Sequence, residues 1–264
     1  MGTKMRYAPV FFTIAQARFN PILTLDSYAP QIQERLRKQG FPDAKKGFLT
    51  TINFNLNPAA PMESVQQIPV AQSTRYMFCN MAQTAGFVLD QGALSFQTTA
   101  YDVFEKLSSD FMKGLRAVEE AVELSYVDRI GLRYLDAVFP GSGEALRDYL
   151  CGSVLGLMER LPGSLVHAFS ETLVKTDGAN VLSRVIIQNG PVALPPDLQP
   201  MTLKLAERFR ELHGLHATID TDGSFESREE FDLESVGKRL NLIHEEINRA
   251  FRASVTENAL KAWE

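Results

Sequence analysis

The strongest constraint on the fold is a pattern of apolar residues that occurs twice. On a predicted helix at 101–123, one face carries Phe104, Leu107, Phe111, Leu115 and Val118. The same spacing recurs 136 residues later, from 104 to 240, as Leu240, Ile243, Ile247, Phe251 and the polar Ser254. In both places a predicted pair of short strands precedes the helix. The repeat predicts two related units, 1–123 and 124–264, as separate domains or merged into one.

The first unit predicts a strand, a helix, four antiparallel strands and a long helix. In chain order these are 7–19, 26–40, 48–57, 74–81, 85–90, 93–98 and 101–123, with a tight turn at Gln91-Gly92. The second unit predicts a strand at 126–139, a helix at 144–160, a hairpin of 165–176 with 181–189, an extra helix at 201–212, a second hairpin of 217–220 with 224–230, and a last helix from 232. The Asp-Gly pairs at Asp177-Gly178 and Asp222-Gly223 favour the two hairpin turns.

This order predicts an α+β fold in which the long helices cover one face of a curved, pseudo-twofold antiparallel sheet. Strands that alternate polar and apolar residues need one covered face, and the amphipathic helices can provide that cover. The element order resembles that of the TATA-binding proteins, which repeat strand, helix, four strands and helix. The resemblance concerns architecture only, since a fold does not confer a function.

Composition indicates an ordinary soluble chain. Apolar residues make up 45%, charged residues 22%, and the net charge is −5. An acidic chain is a poor nonspecific binder of phosphate backbones, which attract many Lys and Arg contacts. The start of the sequence lacks a secretory signal, and Cys79 and Cys151 lie among apolar residues as expected of free thiols. We therefore predict a cytoplasmic protein without a transmembrane segment.

The segment Arg129-Ile130-Gly131-Leu132-Arg133-Tyr134-Leu135-Asp136 carries a family resemblance. It resembles the central strand of a sporadically distributed bacterial family of similar length and unassigned function. That resemblance implies a role in anti-phage defence loci, with a protein partner encoded by a neighbouring gene. It supplies no catalytic residues.

The same strand holds the sharpest candidate site. Strand geometry places Arg129, Gly131 and Arg133 on one face, where two guanidiniums flank a bare backbone that suits a phosphate or carboxylate. The alternative is that Asp128, Asp136 or a glutamate of a neighbouring strand pairs with the arginines on a solvated sheet face. Secondary candidates are Tyr134 on this strand, and Asn53 and Asn55 on the polar face of an earlier strand.

No motif predicts catalysis, a metal or a cofactor. His213 and His216 lack the spacing of a zinc site, and the helix around His244 lacks the second histidine of a metalloprotease. We therefore expect a non-catalytic binding or scaffolding protein. Two alternatives stay open: a nucleic-acid sensor that uses the sheet face, and a small-ligand or lipid carrier whose helices close over a pocket on the sheet. Self-association also stays open.

Overall fold

A computed structural model describes residues 5–52, 70–158, 160–198 and 202–264. These residues form a mixed α/β fold built on one large, curved antiparallel sheet. Its strands are β1 (Val10–Phe19), β2 (Asp43–Ile52), β3 (Val70–Cys79), β4 (Ala85–Asp90), β5 (Ala93–Thr98), β6 (Tyr126–Val138), β7 (His167–Lys175), β8 (Asn180–Pro191), β9 (His213–Phe225) and β10 (Glu229–Glu230). The helices are α1 (Leu25–Lys38), α2 (Phe104–Val122), α3 (Leu146–Tyr149), α4 (Gly152–Leu155), α5 (Glu207–Arg210), α6 (Leu233–Ser254) and α7 (Glu257–Trp263).

The strand order places the two halves of the chain side by side. Strands β1 and β6 pair at the centre of the sheet, with Ala15 opposite Leu132. Outward from this pair the order is β5, β4, β3, β2 on one side and β9, β8, β7 on the other, and β10 adds to β6. Backbone hydrogen bonding therefore continues across the predicted boundary near residue 124.

The long helices share one core beneath them. Helices α1, α2 and α6 contact strands of the sheet, and α2 also contacts α6. Phe111 and Leu115 of α2 lie in the same buried cluster as Leu240, Ile243 and Ile247 of α6. The predicted apolar stripes are thus confirmed as core positions, and the core joins the two halves.

Two predicted tight turns are confirmed, and a third is wrong. Asp90 pairs with Ala93 around Gln91-Gly92, and Lys175 pairs with Asn180 around Asp177-Gly178. No turn forms at Asp222-Gly223, because β9 runs through this dipeptide and pairs along its length with β6 and β8. A Cβ on Gly223 would lie 2.6 Å from Ile243 Cγ2. This glycine therefore permits close packing of α6 on the sheet.

The helix predicted at 144–160 is also wrong. Among the described residues of this span only the single turns α3 and α4 form. Helix α4 ends at Leu155 and is followed by Gly156, whose φ of +62° lies in the left-handed region that favours glycine. The helix predicted at 201–212 reduces to α5 among the described residues. Local apolar periodicity suggested longer helices than the tertiary structure contains.

The sheet face opposite the long helices is partly covered by the connection between β8 and β9. Apolar side chains of this connection, including Leu198 and Phe209, pack against Phe11, Phe12 and Leu135. We refer to this side of the sheet as the open face. Within the described part of the chain, no helix combines the length and apolar character needed to span a bilayer.

Candidate functional site

The open face holds an ion-paired cluster centred on Arg133. Its Nε and Nη2 donate to the two carboxylate oxygens of Asp220 over 2.6 and 2.7 Å, and its Nη1 donates to Asp197 over 2.8 Å. The Arg133 and Asp220 side chains are 7% and 1% exposed, whereas that of Asp197 is 54% exposed. Burial acts to lower the Arg133 pKa, but its bonds to Asp220 and Asp197 raise it. Arg133 therefore stays charged and largely saturated with partners.

Arg129 lies beside this cluster and covers Gly131. A Cβ on Gly131 would collide with the Arg129 guanidinium, so the bare backbone between the two arginines is filled by Arg129 itself. Arg129 Nη1 donates to Gln16 over 3.1 Å, and its Nε donates to Glu226 over 3.3 Å. The chain thus supplies polar partners to both arginines.

These contacts match the carboxylate-pairing alternative. Arg133 pairs with Asp220 and Asp197 and not with Asp128 or Asp136, whereas Glu226, the partner of Arg129, directly follows the neighbouring strand β9. An anion at Arg133 has to displace the exposed Asp197 carboxylate. Anion binding by this face therefore stays a prediction. Asn53 and Asn55 lie outside the described residues.

The opposite face of the same strands holds a pocket of about 170 Å³. Its walls come from the start of α2, the second half of α6, strands β6 and β9, and the N-terminal residues 5–10. Apolar and aromatic side chains dominate the lining, with a few polar groups among them. The residues used below are Tyr101, Phe104, Glu105, Tyr134, Asp136, Thr221, His244, Asn248, Phe251 and Arg252.

Asp136 is the central polar group of this pocket. Strand alternation places Asp136 on the helix-covered face together with Tyr134, and Asp136 is 3% exposed. Among the described residues, its carboxyl group has no hydrogen-bond or ion-pair partner. Burial, reinforced by the negative charge of Asp220, raises the Asp136 pKa to about 8. The carboxyl group is therefore mostly protonated at neutral pH.

Aromatic rings and a histidine surround the carboxyl group. The Tyr134 hydroxyl lies 3.3 Å from His244 Nδ1, within hydrogen-bond distance. The Tyr101 ring meets the Tyr134 ring edge-on at 5.3 Å, and Phe104 stacks on His244 at 3.9 Å between centroids. Burial raises the Tyr101 pKa to about 12 and lowers that of His244, so both groups are uncharged at neutral pH.

A second polar group in the pocket also lacks a partner. The Thr221 Oγ1 atom is buried and has no hydrogen bond to a described residue, although nearly all buried polar groups in proteins have a partner. Thr221 lies directly opposite Tyr134 in the pairing of β9 with β6. An apolar pocket with an uncharged carboxyl group and a free hydroxyl can hold a small molecule through one or two hydrogen bonds.

Comparison of this chain with protein-family models and with curated proteins finds no match. Within the described residues, no group of three or more His, Cys, Asp or Glu side chains is arranged to hold a metal ion.

Of the predicted site residues that the structure describes, only Tyr134 lines this pocket. Arg129, Gly131 and Arg133 lie together on the open face, as the strand alternation predicts. Sequence reasoning missed the pocket role of Asp136, which it considered only as a partner for the arginines. The missed signal was strand alternation. Asp136 follows Leu132 and Tyr134 at a spacing of two, so it lies on the same face of β6 as these residues.

Proposed function

We propose that this chain is a non-catalytic binding protein that takes a small ligand into the pocket between α2, α6 and the centre of the sheet. The observation that carries the proposal is a pair of pocket groups, Asp136 and Thr221, that have no hydrogen-bond partner among the described residues. Leaving such groups unsatisfied costs about 1–3 kcal/mol each, and a ligand can supply the missing partner. Of the sequence-based hypotheses, the small-ligand carrier fits this geometry best.

The experiment is native mass spectrometry of the purified chain, with a variant that fills the pocket. Asn248 lines the pocket from the exposed side of α6, so Asn248→Trp blocks the pocket with little disturbance of the core. The matched control is Asn241→Trp, which is exposed on the same helix and does not line the pocket. We expect a bound small molecule on the wild type and on Asn241→Trp but not on Asn248→Trp. A bound molecule that persists in Asn248→Trp contradicts the proposal.

We also propose that the two halves are a tandem repeat of the kind seen in TATA-binding proteins. The outward order β5, β4, β3 from β1 corresponds to β9, β8, β7 from β6, and α2 corresponds to α6. The described second half has no counterpart of β2. Superposition of β1, β3–β5 and α2 on β6, β7–β9 and α6 tests the repeat.

A second candidate function, protein binding, is favoured by the edge strand β7. Its outer edge pairs with no described strand, and it exposes Phe169 and Leu173. Exposed apolar edge strands are typical sites of pairing with another chain. Self-association through β7 predicts a dimer in light scattering that Leu173→Lys converts to a monomer. A monomeric wild type contradicts self-association.

From the family resemblance, we further propose that ligand binding serves anti-phage defence. A host strain that carries Asn248→Trp should then lose protection against phage, as a deletion strain does. The Asn241→Trp strain should keep it. Equal protection in both strains contradicts a role for the pocket in defence.

A further inference from the structure

The charges around the pocket indicate which ligands it can hold. Glu105 stands at the mouth on α2, and Asp136 lies at the base on β6. The one cation among the described lining residues is Arg252, which is exposed on α6. His244 on the same helix is neutral at neutral pH because burial lowers its pKa. The buried part of the described lining thus contains acidic oxygen and no positive charge.

The aromatic rings of the pocket also favour a cationic ligand. Tyr101, Tyr134 and Phe104 border the pocket, and their ring faces attract cations within about 6 Å. Rings of this kind beside a carboxylate form the usual surroundings of a bound ammonium group. An anionic ligand meets no positive charge among the buried lining residues that the structure describes.

Resting on the proposed function, we infer that the ligand is an organic cation, a protonated amine with an apolar group, whose ammonium pairs with the Asp136 carboxylate. The Thr221 hydroxyl accepts a second hydrogen bond from the ammonium group. The apolar group packs against Phe104 and Phe251. Apolar cavities of about 150 Å³ bind benzene, so a ring-sized amine suits a pocket of about 170 Å³.

Binding of an amine also predicts a proton balance. Asp136 is mostly protonated before binding, and the ion pair requires its carboxylate form. The carboxyl proton therefore passes to the solvent when the protonated amine binds at neutral pH. Tyr134, Tyr101 and His244 also line the pocket and are uncharged at neutral pH, because burial raises the pKa values of the two tyrosines and lowers that of His244. The other charged residues of the described lining are Asp102, Glu105 and Arg252.

The test compares three probes of similar shape: phenethylamine, 2-phenylethanol and phenylacetate. Trp263, the chain's single tryptophan, lies 5.9 Å from the Phe251 ring and serves as a fluorescent reporter. A hydrogen bond to a charged group contributes about 1.5–3 kcal/mol, so we expect the amine to bind at least about tenfold more tightly than the alcohol. Phenylacetate should bind most weakly.

Asp136→Asn should reduce the preference for the amine over the alcohol to about threefold or less, as expected when the ion pair is lost. Glu245→Gln is the control, since it removes an exposed charge on α6 that does not line the pocket and should change amine binding by about twofold at most. Calorimetry at neutral pH in buffers of different ionisation enthalpy should show release of about one proton for each amine bound, and none for Asp136→Asn.

Failure of the inferred cationic ligand can be distinguished from failure of the proposed binding function. If 2-phenylethanol or phenylacetate binds as tightly as the amine, the inference of a cationic ligand is wrong and the proposed binding function stands. If no probe produces a fluorescence change or heat, and native mass spectrometry shows no bound molecule, the proposed function fails as well.

Discussion

Two buried aspartates on neighbouring strands, Asp220 and Asp136, differ in whether their carboxyl groups have partners. Asp220 on β9 lies opposite Leu135, and Asp136 is the next residue on β6, so the two carboxyl groups lie on opposite faces of the same strand pair. Asp220 is held by two hydrogen bonds from Arg133. Asp136 is equally buried but has no partner among the described residues. A buried acid with a full set of partners stabilises a fold, whereas one without a partner in a pocket indicates a binding site.

The largest predicted effect is on how stability depends on pH. The Asp136 pKa rises from 3.8 when unfolded to about 8 when folded, so the folded state holds its proton more tightly. This stabilisation is complete below about pH 3.8 and is lost as the pH rises to about 8. The loss is roughly 1.4 kcal/mol for each pH unit, or several kcal/mol across the window.

Urea unfolding of the wild type and Asp136→Asn across this pH range measures the effect as the difference between the two chains. The asparagine variant should lack this contribution to the slope. Parallel curves for the two chains mean that Asp136 is solvated or paired, and the contrast with Asp220 then disappears.

The second prediction concerns Asp220, the aspartate that has a partner. Arg133→Ala leaves the Asp220 carboxylate buried and without its main partner, which should lower the free energy of unfolding by about 3–5 kcal/mol. Arg129→Ala on the same strand is the matched control. Its ion pairs are longer and partly exposed, so it should cost about 1 kcal/mol or less. Equal losses in urea unfolding contradict the distinction between these arginines.

The third and smallest prediction compares two glycines that lie on opposite faces of the sheet. Gly223→Ala pushes a methyl group against Ile243 in the packed core under α6 and should cost about 1–3 kcal/mol. Gly131→Ala meets only the end of the flexible Arg129 side chain and should cost about 0.5 kcal/mol. Thermal unfolding of both variants resolves this difference. A larger loss for Gly131→Ala indicates that Arg129 is rigidly held.

Sequence reasoning was most successful where a local pattern and the tertiary structure impose the same requirement. The helical stripe that includes Phe111 and Ile247 is buried as its spacing predicts. The turn at Asp177-Gly178 forms because no other strand competes for its backbone. The same dipeptide at Asp222-Gly223 lies inside β9, because pairing with β6 and β8 satisfies its backbone groups along the whole strand.

The candidate site was less predictable because its contacts join residues that lie far apart in the sequence. Strand alternation correctly separated Arg129, Gly131 and Arg133 from Tyr134. The partners of Arg133 come from Asp220 and Asp197, which lie 87 and 64 residues away along the chain. No local spacing specifies such contacts.

The sequence by itself determined the mixed helix and strand composition, the two apolar helix stripes and the face on which each side chain of β6 lies. These properties follow from periodicities of 3.6 and 2, which each segment carries alone. Only the tertiary structure decided which acids are paired and which are left free. Burial and hydrogen bonding depend on what lies across the sheet and beneath the helices, and this is why Asp136 and Asp220 acquire opposite roles.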